Sequence, residues 1–469
     1  METLQRTANR GSVSTGYDVD NSVKLDRLNS EKLQFTFDQA ATNLKKNTLS
    51  IWFKRNVIGV NQGLYQFGDD ASGEHTYIRF TASDDKGFLR GNFGSNVQFL
   101  LTTQSFRDTS AWYHLVVAWD TTQSTASDRL KVYLNGSEIT SFATDNRSSV
   151  IPLNHDTPNG ENGKSVIIGE GVYDISAYIA ETNFVDGQAL APTEFGEFDS
   201  GSGIWKPKKY TGTYGNNGFY LDFKNSSNLG EDQSGNNHDF TLNNITAADQ
   251  ATDTCTNNFC TLNPLVNFKY TTNEITEGAT EFGDDTGGGV GGAFGTFAVT
   301  KGKWYWEVKL TQQNSHYIGV SAVDDGDNVF ASTDPQDENS SFVFNISVAR
   351  IEYVNSGTKS YGSADAFTDF HSAGDIIGIA LNMDDNQISI YGNGTLQSGV
   401  ANSSIYDAAN KMVVPFHGTI NDECQYNFGG YSAWTPSSAV SDENNYGTFE
   451  YAPPSGYYSL CTKNLSEFG

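Results

Sequence analysis

KWYWEVKL at residues 303–310 begins a series of strand-like segments that fills much of the second half of the chain. It is followed by YIGVS (317–321), by GDIIGIALN (374–382) running into QISIYGNG (387–394), and by VVPF (413–416) with CQYNFG (424–429). Each segment alternates apolar and polar residues or forms a short apolar run, and Gly or Asn closes it. Alternation places Trp304 and Trp306 on one face, which favours core packing for both rings. The series therefore predicts a β-sheet domain.

A second series of strand patterns lies upstream, between residues 24 and 143. It comprises LQFTF (33–37), TLSIWFK (48–54), YIRF (77–80), WYHLVVAWD (112–120) and LKVYLNG (130–136). The last segment ends in Asn135-Gly136, the strongest short hairpin signal. His114 lies inside a strand pattern, so we interpret it as a packed core histidine and not as a ligand. The chain is thus predicted to contain two β domains.

Composition and charge exclude several classes of protein. The 469 residues include 30 Phe and 23 Tyr, which suit half-buried pleated surfaces and favour an all-β chain. The net charge of −27 repels phosphate backbones, so we expect no nucleic-acid binding. No segment approaches the ~20 apolar residues of a membrane helix, and the first residues lack the apolar core of a secretory signal. We expect no membrane insertion.

The sequence offers little for catalysis. It contains no Gly-x-Ser-x-Gly elbow and no His-Glu-x-x-His zinc pair. A glycoside hydrolase needs two carboxylates on one sheet face, yet the nearest acidic cluster, Glu194, Glu197 and Asp199, lies in a connector. The four cysteines form no Cys-x-x-Cys pair, so free thiols are expected and a zinc site is not. We predict a protein that is not an enzyme and has no certain cofactor.

Loop acids supply the candidate ligand and metal positions. Calcium takes several loop oxygens, and Asp69 and Asp70 are the candidate Ca²⁺ ligands, although no spaced calcium motif is present. Other loop acids are Asp84, Asp85 and Asp156. The candidate ligand-binding residues, chosen for loop position and acidity, are Asp69, Asp70, Asp324, Asp327, Asn328 and Tyr353.

Both series of strand patterns resemble known families. The segments of residues 303–428 resemble a SPRY domain, a bent β-sandwich that presents loops to a partner. The order of LSIWF (49–53), WYH (112–114) and LKVYLNG (130–136) resembles a laminin-G or concanavalin-like jelly roll, which VIIG (166–169) and YIAETNFVDG (178–187) would close. We therefore predict an all-β chain of two β-sandwich (jelly-roll) domains in tandem, concanavalin-like and then SPRY. The predicted parts are an N-terminal arm (1–22), the laminin-G-like domain (23–200), a packed connector with short strands (201–265) and the SPRY-like domain with a C-terminal tail (266–469).

The whole arrangement resembles a family of structural proteins from marine tailed bacteriophages. The segments that carry this resemblance are DGQAL (186–190), GFYLDF (218–223), DQSGNN (232–237), NNFCTLNP (257–264) and YAPPSGYYSLCT (451–462). It implies a fibre, tail or capsid-surface protein of the virion, made in the host cytoplasm, with the arm docking onto other virion proteins. It also implies a homo-oligomer, such as a trimer, that attaches to a host glycan or envelope protein.

Three alternatives to host attachment stay open at this point. The first is a capsid decoration protein that binds no receptor. The second is an intracellular SPRY adaptor that captures a peptide, although the chain has no RING-like Cys/His set to accompany it. The third is a polysaccharide-acting enzyme, which requires the paired carboxylates that the sequence does not show.

Overall fold

The chain forms two compact units, one within residues 14–256 and the other within residues 257–469. The structure is a computed structural model. It describes residues 16–68, 73–93, 96–169, 173–267, 274–283, 290–312, 315–323, 341–355, 358–367, 372–405, 412–420, 423–430 and 433–469.

The first unit is built almost entirely from strands. They are β1 (Ser22–Leu25), β2 (Lys32–Thr36), β3 (Lys46–Arg55), β4 (Gln62–Gly68), β5 (His75–Phe80), β6 (Lys86–Asn92), β7 (Asn96–Ser105), β8 (Tyr113–Asp120), β9 (Leu130–Leu134), β10 (Ser137–Glu138), β11 (Phe142–Asp145), β12 (Ser165–Ile168), β13 (Ala177–Asp186), β14 (Gly196–Phe198), β15 (Trp205–Pro207), β16 (Phe219–Leu221), β17 (Thr241–Asn243) and β18 (Gln250–Ala251). Its helical pieces are the short helix α1 (Arg147–Val150) and the 3₁₀ turns Arg27–Asn29, Ala126–Asp128, Pro192–Glu194 and Ala247–Asp249.

Sixteen of these strands form two sheets that enclose one apolar core, and β14 and β15 form a separate two-stranded sheet. Sheet I has the order β10-β9-β8-β3-β13-β1-β18, with β16 also paired to β13, and sheet II has the order β11-β7-β6-β5-β4-β12-β2-β17. Alternate side chains of β3, Leu49, Ile51 and Phe53, face this core, as the sequence predicts. Asn135 and Gly136 join β9 to β10 with φ of 47° and 80°, the left-handed values that a tight hairpin turn requires.

The segment between the two predicted domains packs back onto the first unit. Strand β16 pairs with β13, β17 pairs with β2, and β18 pairs with β1. The division between the units falls after Thr256, inside the connector predicted at 201–265. Residues 16–22 of the predicted arm also join the first unit, where Val19 is buried beside Trp52. Residues 1–15 of that arm lie outside the described residues.

The second unit is also a sandwich. Its strands are β19 (Leu262–Asn267), β20 (Glu274–Thr276), β21 (Glu281–Gly283), β22 (Val290–Gly295), β23 (Lys303–Leu310), β24 (Ser315–Val323), β25 (Ser341–Asn345), β26 (Arg350–Asn355), β27 (Thr358–Tyr361), β28 (Ile376–Asn382), β29 (Gln387–Gly392), β30 (Thr395–Leu396), β31 (Ser403–Ser404), β32 (Met412–Ile420), β33 (Glu423–Asn427), β34 (Val440–Ser441), β35 (Thr448–Phe449) and β36 (Tyr458–Ser459). Helix α2 (Thr462–Phe468) follows them, and the 3₁₀ turns are Glu277–Ala279, Ile346–Val348 and Ser398–Val400.

Two sheets face each other in the second unit. Sheet III has the order β19-β22-β32-β24-β25-β26-β27, and sheet IV has the order β20-β21-β33-β23-β28-β29-β30. Trp304 and Trp306 are both fully buried in the core between them, which confirms the prediction from alternation. The predicted all-β fold class is confirmed. Within the described residues no disulfide links any of the four cysteines, and no helix has the length and apolar character needed to cross a membrane.

Candidate functional site

The outward face of sheet I is covered by the chain's own connector. Trp52 and His114 stand side by side on this face, with ring centres 4.5 Å apart and nearly parallel planes. Trp205 of β15 lies over them and is only 8% exposed. A Cβ added at Gly136 or Gly196 would come within 2.4 Å of the Trp205 ring, so both positions need glycine to let the indole in. In the part of the chain that the structure describes, this face is an internal packing surface.

Ser50 and His114 on this face look like a nucleophile and its base. Ser50 Oγ lies 2.8 Å from His114 Nε2, and the Trp205 indole N–H donates to His114 Nδ1 at 2.9 Å. Burial lowers the pKa of His114 to about 3, so the ring is neutral. Because Nδ1 accepts from Trp205, the single ring proton sits on Nε2 and is donated to Ser50. His114 therefore cannot take the serine proton, and the pair is structural. The predicted packed histidine is confirmed.

Glu181 is the buried carboxyl of the same region. It sits at the irregularity of β13 between Ala180 and Asn183, with an unusual φ of 45°. Its oxygens accept from the Tyr17 hydroxyl at 3.0 Å and from the Tyr220 hydroxyl at 2.8 Å. Burial raises the pKa of Glu181 to about 7, although both phenol hydrogen bonds act in the opposite direction. The carboxyl is 5% exposed, so the two tyrosines close it off from a polysaccharide chain.

Glu181 gives the stability of the first unit a dependence on pH. Its pKa is about 7 in the fold against 4.5 as its ordinary value, so its neutral form is favoured. The neutral carboxyl stabilises the fold fully below pH 4.5. This stabilisation, on the order of 3 kcal/mol, is lost as the pH rises to about 7. We expect Glu181→Gln, which stays neutral, to lose less stability than the wild type over this range. Urea unfolding of the full chain at a series of pH values measures the difference.

The exposed Glu138 supplies the matched control for this titration. Glu138→Gln should leave the pH dependence of the wild type unchanged, because the Glu138 side chain is exposed to solvent and not enclosed as Glu181 is. Glu31, whose pKa burial also raises to about 7, adds a similar background to both variants. If the free energy of unfolding depended equally steeply on pH in Glu181→Gln and Glu138→Gln, the pH dependence could not be assigned to Glu181.

The second unit presents an exposed aromatic ring beside two cations, which we call the Tyr361 patch (Arg350, Lys359 and Tyr361). Tyr361 ends β27, the last strand of sheet III as described, and is 52% exposed. The Arg350 guanidinium lies 4.4 Å and the Lys359 ammonium 5.4 Å from the centre of its ring. Arg350 is oriented by the buried Glu352 at 2.6 Å. An outward aromatic ring with a fixed cation is suited to binding glycans and proteins.

Most of the predicted loop residues cannot be placed. Asp69 and Asp70, the candidate calcium ligands, lie outside the described residues, as do Asp324, Asp327 and Asn328. The other loop acids are described, and each has a cationic partner. Asp84 pairs with Lys86 at 2.6 Å, Asp85 with Arg55 at 3.1 Å and Asp156 with Lys45 at 2.7 Å.

Tyr353 is the predicted ligand-binding residue that the structure does describe. It lies on β26 opposite Ser360 and stacks on Phe342, with ring centres 6.2 Å apart. The ring is partly buried and packs against the core of the second unit. Its neighbour Glu352 pairs with Tyr361, so the hairpin directs Tyr353 towards the core and Tyr361 to the opposite face. Sequence reasoning missed Tyr361, although an aromatic residue flanked by Lys359 in a short alternating strand was a usable signal.

One group of metal-ligating side chains occurs within the described residues. It consists of His316, His417 and Cys424, all fully buried in the second unit. Their ligand atoms lie within 4.8 Å of one another, and Cys424 Sγ is 3.5 Å from His417 Nε2. Burial, together with the neighbouring His316, holds the pKa of His417 well below its ordinary value. The imidazole is thus neutral and able to coordinate. The sequence analysis did not single out this group.

Two protein-family descriptions match the chain. Residues 29–194 match the Concanavalin A-like lectin/glucanases superfamily, and residues 303–431 match the SPRY domain. No curated protein sequence is significantly similar to the chain.

Solved structures from human, Limulus polyphemus and mouse are among those similar to this chain. The SPRY domain of human HERC1 is 17% identical, with 35% of this chain and 96% of that chain covered and a TM-score of 0.25. A SAP-like pentraxin from Limulus polyphemus is 18% identical, covering 38% of this chain and 80% of the pentraxin with a TM-score of 0.28. Domains LG4-5 of the mouse laminin alpha1 chain are 9% identical, covering 88% and 89% with a TM-score of 0.30. The chain carries a laminin-G-type domain of the concanavalin A-like superfamily followed by a SPRY domain.

Proposed function

We propose that this protein is a non-enzymatic surface protein of a virus particle that attaches the particle to its host. Both domains resemble lectin and binding folds, and the proposal goes one step beyond that resemblance. The observation that carries it is the Tyr361 patch, an aromatic ring 52% exposed beside two cations in a chain of net charge −27.

The chemistry of the patch indicates what it contacts. Arg350 and Lys359 favour acidic groups, and the Tyr361 ring offers an apolar surface to a sugar or to a side chain. We propose a host-surface glycan with acidic groups, or an acidic region of an envelope protein. One such contact is weak, but many copies on one particle raise the avidity by ~10²–10⁴-fold over a single site.

The covered outward face of sheet I disfavours catalysis by the first sandwich. The outward face of sheet I is filled by Trp205 and its neighbours, and Glu181 lies closed beneath Tyr17 and Tyr220. A hydrolase of this superfamily needs a pair of carboxylates that a sugar chain can reach. Within the described residues this face therefore supports packing of the connector and not hydrolysis.

The virion context rests on the resemblance to marine phage structural proteins. We propose that the part of the predicted arm before residue 16 docks onto other virion proteins and that the chain assembles as a homo-oligomer. Gold-antibody labelling of purified particles from the source that encodes the chain tests this part. Label at one defined place on the capsid or tail is the expected result. Particles without label would contradict the virion proposal and favour an intracellular peptide-binding role for the SPRY domain.

Tyr361→Ala is expected to weaken adhesion without harming the fold. Beads that display many copies of the full chain should adhere to host cells. With the variant, the number of bound beads should fall at least about tenfold, because each contact is weaker and avidity multiplies the loss. Tyr446→Ala is a matched control, since Tyr446 is 36% exposed and also carries a lysine, Lys463, 5.3 Å from its ring centre. Equal adhesion by both variants would exclude the Tyr361 patch as the contact. If virions carry the label but the beads do not adhere to host cells, the decoration role is favoured.

A further inference from the structure

We propose that His316, His417 and Cys424 form a buried site for a thiophilic transition-metal ion, Zn²⁺ or Cu⁺, inside the second unit. This inference is independent of the proposed adhesion, and it departs from the expectation, drawn from cysteine spacing, that the chain has no zinc site.

The fold brings the three side chains together from two sheets. His316 lies on β24 and His417 on β32, which are adjacent antiparallel strands of sheet III. His417 is opposite Ile318, two residues from His316, so both imidazoles project to the same inner face. Cys424 lies on β33 of sheet IV, and its side chain belongs to the core between the sheets. The group therefore spans the interior of the sandwich.

The distances suit coordination by a small ion. Cys424 Sγ lies 3.5 Å from Nε2 and 3.7 Å from Nδ1 of His417. With Zn–S of about 2.3 Å and Zn–N of about 2.0–2.1 Å, a tetrahedral ion holds a sulfur and a nitrogen ligand roughly 3.5 Å apart. The ring centres of His316 and His417 are 5.7 Å apart, and all ligand atoms lie within 4.8 Å of one another. Coordination would therefore require the His316 ring to turn towards the ion.

The donor set and its surroundings select the class of metal. Two imidazoles and one thiol match Zn²⁺ and Cu⁺, whereas Ca²⁺ and Mg²⁺ require oxygen ligands. The rings of Phe282 and Tyr426 lie edge-on to His417, with ring centres at 5.3 Å and 5.6 Å, and fix its orientation. Tyr426 is 1% exposed, and its hydroxyl has no hydrogen-bond partner within the described residues. This buried hydroxyl lies two residues from Cys424 on the same strand face.

An ion at this position would join sheet III to sheet IV. Coordination would link β24 and β32 to β33 through the core, and the binding free energy would add to the stability of the second unit. The site would therefore have a structural role, as a metal-dependent link between the two sheets of the second unit.

Elemental analysis of the full chain tests the site directly. Protein produced without an affinity tag and purified without chelator should contain about one Zn or Cu per chain. The identity of the element decides between the two ions. A chelator should remove the ion and lower the Tm of the second unit by at least about 4 °C, and either Zn²⁺ or Cu⁺ should restore it. Metal-free protein with a Tm that neither ion changes would overturn the proposal.

Substitutions identify the ligands. Cys424→Ser should reduce metal content at least about tenfold, whereas Cys461→Ser, at an equally buried cysteine of the same unit, should retain it. The absorption spectrum of wild-type protein loaded with Co²⁺ is a second test, and it does not depend on whether a variant folds. A thiolate ligand produces an intense sulfur-to-cobalt absorption band. Loss of metal in both variants, or a cobalt spectrum without that band, would contradict the assignment of Cys424.

Discussion

Replacing Asp253 with alanine is expected to destabilise the first unit by about 3–5 kcal/mol, the usual cost of breaking a buried ion pair. Asp253 Oδ2 lies 2.8 Å from Lys54 Nζ, and the two side chains are 1% and 0% exposed. Asp253 Oδ1 also accepts from the indole N–H of Trp112 at 3.0 Å. The variant leaves the Lys54 ammonium buried without this carboxylate. Urea unfolding of the full chain, with hydrogen exchange of β3 and β8, measures the loss.

Two further variants distinguish the ion pair from simple packing. The double variant Lys54→Met with Asp253→Leu should recover most of the stability lost in Asp253→Ala, because apolar side chains of similar size replace buried ion pairs well. It should not recover the part that the Trp112 hydrogen bond contributes. Asp156→Ala removes the partner of Lys45 in a pair whose side chains are 34% and 58% exposed, and should cost less than about 1 kcal/mol. A loss for Asp253→Ala no larger than that for Asp156→Ala would show that burial does not strengthen this contact.

Replacing Glu307 with alanine is expected to destabilise the second unit by about 3 kcal/mol and to release the segment around residue 450. The Glu307 carboxylate accepts from the backbone N–H groups of Glu450 at 2.8 Å and Tyr451 at 2.9 Å, and from the Tyr305 hydroxyl at 3.2 Å. Burial raises the pKa of Glu307 to about 7. Stability should therefore be measured at pH 8, where the carboxylate is ionised and accepts all three bonds. Hydrogen exchange at residues 448–452 reports release of the segment.

An exposed carboxylate with similar partners provides the control. Glu443 accepts from the Ser455 hydroxyl at 2.8 Å and from the Gly456 backbone N–H at 3.1 Å, and it is exposed. Water can replace Glu443 in the alanine variant, so its loss should stay below about 1 kcal/mol. If the exchange rates at residues 448–452 were the same in Glu307→Ala and in the wild type, Glu307 would not hold this segment.

The strands were predictable because one face of each is buried. The period-2 patterns at residues 48–54, 112–120, 130–136 and 303–310 correspond to β3, β8, β9 and β23. The pattern identifies the inner face of a sheet, where apolar side chains must recur. It cannot show that the other face of β3 and β8 is also covered. Trp205, which lies over His114 on that face, comes 91 residues later in the chain.

The candidate sites were much less predictable. Tyr353 and Tyr361 lie on the same hairpin, and only the register that pairs Glu352 with Tyr361 decides which ring faces outward. A single residue of slip would exchange their faces, and the sequence carries no strong signal for that register. His316 and His417 lie about 100 residues apart and reach Cys424 only because β32 and β33 belong to different sheets. No spacing motif exists for ligands that meet in this way.

The covering of sheet I by the connector also has a consequence for synthesis on the ribosome. When β13 has emerged, Trp52, Val116 and Val185 are exposed to solvent, because Trp205 and Tyr210 have not yet been made. At ~5–20 residues per second, the roughly 70 residues from Gly187 to Thr256 take about 4–14 s to follow. During that interval the nascent sandwich presents an apolar sheet face to other chains. We expect the yield of correctly folded first unit to fall when translation of the connector is slowed, because this face then stays uncovered for longer.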